Sequence, residues 1–177
     1  KSLAGFVVFV RLACKRFGIE SIPQADAKTR RNEMDKNWRT EYERILSAAT
    51  EIALATSVGG VPNVRIVNFC QDPKCPGAIY FSTDRSNDKV AEFASNDRIA
   101  FTTIPRDGTA HVRTRDATVR RSGRSIGDMK ALFLEQVPGF EEALEAIGDA
   151  LDVYEIRIRE AVVVTGFDAP GRVKFPD

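Results

Sequence analysis

The sequence is short of the residues from which several common active sites are built. It holds one histidine, His111, which excludes a metal centre resting on paired histidines. Its three cysteines, Cys14, Cys70 and Cys75, are too few and too scattered for a disulfide framework. They suit a reducing compartment, so a cytoplasmic location is expected. Drawing Cys70, Cys75 and His111 into a zinc site would require a loose C-x4-C spacing and a fourth ligand from elsewhere. The plainer reading is that the two cysteines edge a hairpin, and no metal is expected. The longest apolar run, Leu3 to Val10, falls well short of the ~20 residues that cross a bilayer. With Cys14, Lys15 and Arg16 after it in place of a small-residue cleavage site, it reads as a short apolar segment and not as a signal-peptide core. Charge of one sign is also missing: 26 Lys+Arg stand against 25 Asp+Glu, a formal net charge of +1. Neither a nucleic-acid partner nor a membrane partner is therefore expected. G-x-S-x-G, Walker A, H-E-x-x-H and G-x-G-x-x-G signatures are all absent, and no catalytic acid, base or nucleophile is named.

What is present is ordinary globular composition, 43% hydrophobic and 29% charged. The charge is unevenly spread, with seven basic and three acidic side chains in residues 1–33. That stretch reads as an N-terminal extension, either a non-native start-site artefact or a genuine basic arm, with residues 34–177 forming one domain. Trp38, Tyr42, Ile45 and Leu46 recur at helical spacing up to about Ala49. Strands are expected at Ile52–Val58, Asn63–Phe69, Ala78–Thr83, Arg98–Ile104, Thr109–Arg121 and Leu151–Gly166, with Arg172–Phe175 as a further pairing segment. Turns fall at Gly59–Pro62 and Pro105–Gly108, and helices at Ser86–Ser95, Ile126–Gln136 and Phe140–Ala150. Hairpin-linked strands with few crossovers predict a mainly β, antiparallel barrel flanked by helices.

Two constellations carry chemistry. Phe81-Ser82-Thr83-Asp84-Arg85-Ser86-Asn87-Asp88-Lys89 joins a strand end to a helix start, where free N–H groups favour an anion. Lys89 in the first turn opposes the helix dipole unless an anion neutralises it, and Arg65 on a neighbouring strand converges on the same place. A helix capped by Ser86 or Asn87 with a solvated Lys89 is the equally simple alternative. In the strand Thr109–Arg121, His111, Arg113 and Arg115 alternate onto one face, either as a solvated strand face or as one turned to an anionic ligand.

The series Ala53-Leu54-Ala55-Thr56, Pro62-Asn63-Val64-Arg65-Ile66-Val67-Asn68, Phe81-Ser82-Thr83 and Lys89-Val90 resembles the pyridoxamine 5′-phosphate oxidase-like, FMN-binding split-barrel family. The resemblance spans about residues 37–166. It implies a split antiparallel β-barrel and a homodimer with FMN at the subunit interface. Arg65 and Lys89 would bind the FMN phosphate with Ser82 and Thr83 nearby, and Ile66, Val67 and Asn68 would run along the flavin ring. His111 matches a position from which the second subunit reaches the ring. The implied activity is flavin-mediated oxidoreduction of an unknown small molecule, with flavin binding without turnover, haem or a deazaflavin as alternatives. The departures are Asp88 and Cys70, where the authentic oxidase carries basic residues, and a different C-terminal segment. The chain therefore looks like a general stress protein-type member of the family and not the vitamin enzyme.

Overall fold

The structure, a computed structural model, describes residues 37–176. The proposed extension 1–33, its apolar run and Cys14 lie outside the described residues. Helix α1 (Trp38–Ala48) starts where the Asn37 side chain accepts the N–H groups of Arg39 and Thr40 at 3.1 and 3.2 Å. Tyr42, Ile45 and Leu46 form its buried stripe, and Arg39–Glu43 and Arg44–Glu41 pairs lie on its wet side.

Strand β1 (Glu51–Val58) alternates buried and half-buried residues, with Ile52, Leu54 and Thr56 facing inward. It turns into β2 (Val61–Asn68) through Gly59 and Gly60 alone, both at positive φ, which a two-residue turn between twisted strands demands. The strand therefore begins two residues earlier than expected from the sequence. Pro62 is tolerated because β2 is the edge of the sheet, where a missing N–H breaks no ladder. The two-residue β3 (Cys70–Gln71) pairs with β4 (Ala78–Asp84), a contact too short to leave a sequence pattern. Helix α2 (Asp88–Ser95), β5 (Arg98–Thr103) and β6 (His111–Arg121) follow. After them come α3 (Ile126–Gln136), α4 (Phe140–Ile147), the 14-residue β7 (Leu151–Val164) and β8 (Gly171–Lys174). The last turn expected of α4, Gly148–Ala150, is a 3-10 turn.

Every strand pairing is antiparallel, in the order β2-β1-β5-β6-β7-β4-β3 with β8 added to β7. The sheet curls into a half-barrel, so that β2 comes back towards β4 without hydrogen-bonding to it. The seam between these two strands is where the barrel is split. Inside lies the main core, including Leu46, Ile52, Leu54, Phe81, Phe101 and Ile156. A second apolar cluster lies where α3 and α4 cover the outer side of β3, β4 and β7, with Phe133 stacked on Phe140 at 4.6 Å. The capping box of Ser125 and Asp128 fixes the start of that helical insertion.

The C-terminal strand is locked to α1. A side chain added at Gly171 would overlap the indole of Trp38, the one tryptophan of the chain. Gly171→Ala is expected to push Trp38 out of place and to cost about 1–3 kcal/mol of stability. Chemical unfolding followed by tryptophan fluorescence reads both effects, and an unchanged midpoint and native emission would contradict this packing.

Candidate functional site

Four elements bring polar groups to the β2–β4 seam. Arg65 on β2 lies opposite Leu54 of β1, so its side chain is on the inward face of the curl with Asn63 and Val67. Thr83, one residue before the end of β4, lies on the same inward side as Phe81 and is almost fully buried. Helix α2 closes the seam. Phe93 anchors it against Phe81 and Tyr154, and the Asn96 amide donates to Ser57 O at 2.8 Å. Lys89 and Glu92 precede Phe93 by one turn and by one residue, which places them along the same flank of the helix.

Lys89 is not a solvated lysine. Its Nζ donates to Thr83 Oγ1 at 2.8 Å, and the residue is half-buried. Loss of water, and next the facing charge of Arg65, hold its pKa below the ordinary lysine value. The start of α2 is satisfied by its own Asn87, whose side chain accepts the Lys89 N–H at 3.2 Å. Both simple readings of this segment thus hold in part. The helix is capped, and the cations nevertheless converge, so an anion here would be held by side chains more than by the helix terminus.

A group without a role in the sequence reading completes the arrangement. The Glu92 carboxylate accepts from Thr56 Oγ1 at 2.5 Å, from Asn63 Nδ2 at 2.9 Å and from Arg65 Nη2. Arg65 Nη1 donates to Thr56 Oγ1 at 2.8 Å. The hydrogen bonds from Thr56 and Asn63, then Arg65, bring the Glu92 pKa down to about 2. Helical i, i+3 spacing from Lys89 was the local signal for Glu92. Its main partners, however, lie 36 and 29 residues away, so only the fold reveals them.

The other expected site residues are placed differently. Ser82 neighbours Thr83 in β4 and so points to the opposite face, the one that carries Tyr80. Ile66 and Asn68 likewise face away from Arg65. As part of an edge strand, residues 66–68 have one side of their backbone outside any strand pairing. His111 lies at the start of β6, three positions from β2 in the sheet order, with Nδ1 2.8 Å from Thr109 O. Within one chain it is not part of the seam cluster. Asp88 is exposed and makes no contact with Lys89 in the hydrogen-bond network of the seam. Cys70 is fully buried under α3, where burial pushes its thiol up to about 12.

The donor set fits a flavin phosphate. Lys89 keeps two of its three protons after bonding Thr83, and Arg65 keeps three of its five N–H groups after bonding Thr56 and Glu92. Both cations are drawn from separate elements into one partly dry seam, at a cost that the Glu92 carboxylate offsets on the Arg65 side.

Residues 45–169 match the sequence profile of the pyridoxamine 5′-phosphate oxidase-like family. No curated protein matches the chain. Among solved structures, a haem-binding protein from Mycobacterium smegmatis superposes with a TM-score of 0.63 at 16% identity, over 78% of this chain and 58% of that one. A Clostridium acetobutylicum protein related to general stress protein 26, of the pyridoxinephosphate oxidase family, gives 0.60 at 13% identity over 79% and 96% of the two chains. An FAD-binding protein from Mesorhizobium loti gives 0.54 at 16%, over 75% and 92%. At these identities the likeness is one of fold.

The Glu92 network has a consequence for acid stability. Its carboxyl titrates at about 2 in the folded chain against an ordinary 4.5, so its contribution is whole above pH 4.5 and is lost as pH falls towards 2. Glu92→Gln keeps an acceptor for Thr56 and removes the titration. The variant is expected to lose less stability than the wild type between pH 4.5 and 2, measured by denaturant unfolding. Parallel losses in both proteins would contradict the network.

Proposed function

The chain belongs to the pyridoxamine 5′-phosphate oxidase-like family, and from that premise we propose that the β2–β4 seam holds a flavin by its phosphate in a homodimeric oxidoreductase. The observation that carries this reading is the convergence of Arg65 and Lys89 at the split, where loss of water and next the neighbouring guanidinium hold Lys89 below the ordinary lysine value. A phosphate between them would restore the proton affinity of Lys89 and accept charge-assisted hydrogen bonds from both. The Mesorhizobium loti neighbour, named for FAD binding, supports a flavin on this fold.

The parts of the chain divide the work. Lys89 and Arg65 anchor the phosphate, and Thr83 holds the Lys89 ammonium in place. Thr56 and Glu92 fix the plane of the guanidinium. The free backbone edge of residues 66–68 would meet the polar rim of the ring. When bound, a flavin supplies hydride and electron transfer, and the protein contributes orientation and exclusion of water. The substrate is a small molecule whose identity the fold does not name.

A second copy of the chain is the proposed partner. Val64 and Ile66 on β2 are 65 and 54% exposed, apolar side chains side by side on the outward face of an edge strand. Beside them Ala53, Ala55, Ala100 and Thr102 floor a shallow concavity of about 720 Å³. A partner covering this face would shield it and bring its own His111 towards the seam. Among the described residues no helix is long and apolar enough to cross a membrane. The thiols of Cys70 and Cys75 are free, which agrees with the proposed cytoplasmic location.

One observation favours a haem reading. With Nδ1 of His111 engaged by Thr109 O, Nε2 remains available as a ligand, and a neighbour of this fold is named for haem binding. A visible spectrum of the purified chain separates the two. The expected result is a dimer by sedimentation that retains flavin absorption near ~450 nm after FMN addition and desalting. Lys89→Ala and Arg65→Ala are each expected to weaken FMN binding by roughly 1.5–3 kcal/mol. A Soret band would move the assignment to haem, and FMN affinity unchanged in both variants would remove the phosphate site.

A further inference from the structure

The outward face of the sheet is laid out by strand register. Ile66 on β2 lies opposite Ala53 on β1, Ala53 opposite Thr102 on β5, and Thr102 opposite Arg113 on β6. Directly paired residues share a face, so these four form one row across the outside of the curl. At about 4.8 Å per strand, Arg113 stands roughly 14 Å from Ile66. The next row holds Val64, Ala55 and Ala100. The face is therefore apolar at the β2 edge, small in the middle and cationic at β6. Arg113 is exposed and forms no ion pair among the described residues, while Glu160 is engaged by Arg172 and Lys174. The charged residues lining the concavity are Arg113, Arg115, Arg172, Asp116 and Glu160, which leaves one positive charge in excess.

A second copy can lie on this face about a twofold axis in two ways. With the axis running across the strands, each Arg113 meets the partner's Arg113 and like charges are opposed. With the axis parallel to the strands, between β1 and β5, Ala53 meets the partner's Thr102 and Ile66 meets the partner's Arg113. The small residues at the axis let the two sheets approach closely. Ile66 then covers the methylene stem of the arginine, and the guanidinium passes on to the free backbone edge of residues 66–68. Resting on the reading of the seam as a flavin site in a dimer, we infer that the partner's Arg113 completes that site and selects a small organic carboxylate as the molecule that meets the flavin. The planar fork of a guanidinium matches a carboxylate with two parallel hydrogen bonds, and the carboxylate neutralises the excess charge. This arginine does not duplicate the phosphate anchor, because Arg65 faces the opposite side of β2 from Ile66.

The test adds benzoate, or its neutral counterpart benzamide, to the FMN-loaded protein at fixed low salt and follows the flavin absorption band. Melting midpoint and sedimentation report that each variant is folded and dimeric. The wild type is expected to bind benzoate about tenfold more tightly than benzamide, and Arg113→Gln to lose that preference. A hybrid dimer of one Arg113→Gln chain and one Lys89→Ala chain, loaded with one FMN per dimer, sets an intact seam against an intact arginine from the other chain. It is expected to regain the preference for benzoate. Equal affinity for the two compounds in the wild type, a preference that survives Arg113→Gln, or a hybrid that fails to regain it would each overturn the inference while the flavin reading stands. Failure of the wild type to bind FMN would overturn the flavin reading and this inference with it.

Discussion

Two like charges drawn into one partly dry seam set the condition that the rest of the molecule has to meet. Arg65 and Lys89 come from an edge strand and from a short helix, and bringing them together opposes folding through lost hydration and mutual repulsion. The structure offsets that cost with Glu92 on one side and Thr83 on the other. The barrel in turn exists in a form that permits the arrangement. If β2 paired with β4, the seam would be closed by a hydrogen-bond ladder and Arg65 would have no space to face. Because the sheet stops at β2 and α2 covers the gap, polar side chains can stand where a closed barrel would have core.

Much of this was legible in the residues because it is local. Asn37 before a 3.6-residue stripe marks α1, and strict alternation through Ile52, Leu54 and Thr56 marks β1. The convergence of Arg65 with Lys89 was legible too, since a cation in the first turn of a helix asks for an explanation. What escaped has a common cause in sequence separation. Glu92 is one more solvent-side acid until Thr56 and Asn63 fold onto it, and β3 is two residues that pair only across a loop. Ser82 and Thr83 read as one polar pair, yet strand alternation sends them to opposite faces. In β6 the register shifts around Asp116 change the phase of burial, so the simple alternation of His111, Arg113 and Arg115 does not carry through to Arg120.

The family and the site constrain different things. Membership of the pyridoxamine 5′-phosphate oxidase-like family and the solved neighbours fix the fold, and that fold carries proteins named for haem and for FAD. The choice among ligands therefore rests with the side chains at the seam. Arg65, Lys89 and the locked Glu92 carboxylate are charged groups that a ligand at the seam would meet, and the chain's one histidine stands elsewhere on the sheet. The exposed apolar face of β2 borders the same region, which ties the proposed partner copy to the ligand geometrically: covering that face also covers the outer side of residues 66–68.

A crystal structure of the protein grown with a phosphate-bearing flavin tests the phosphate site most directly. Phosphate oxygens are expected within hydrogen-bonding distance of both Lys89 Nζ and the Arg65 guanidinium, with Glu92 still bonded to Arg65 and Thr56. A flavin whose phosphate lies away from these two cations, or a seam in which Arg65 and Lys89 have separated to bind other groups, would contradict it.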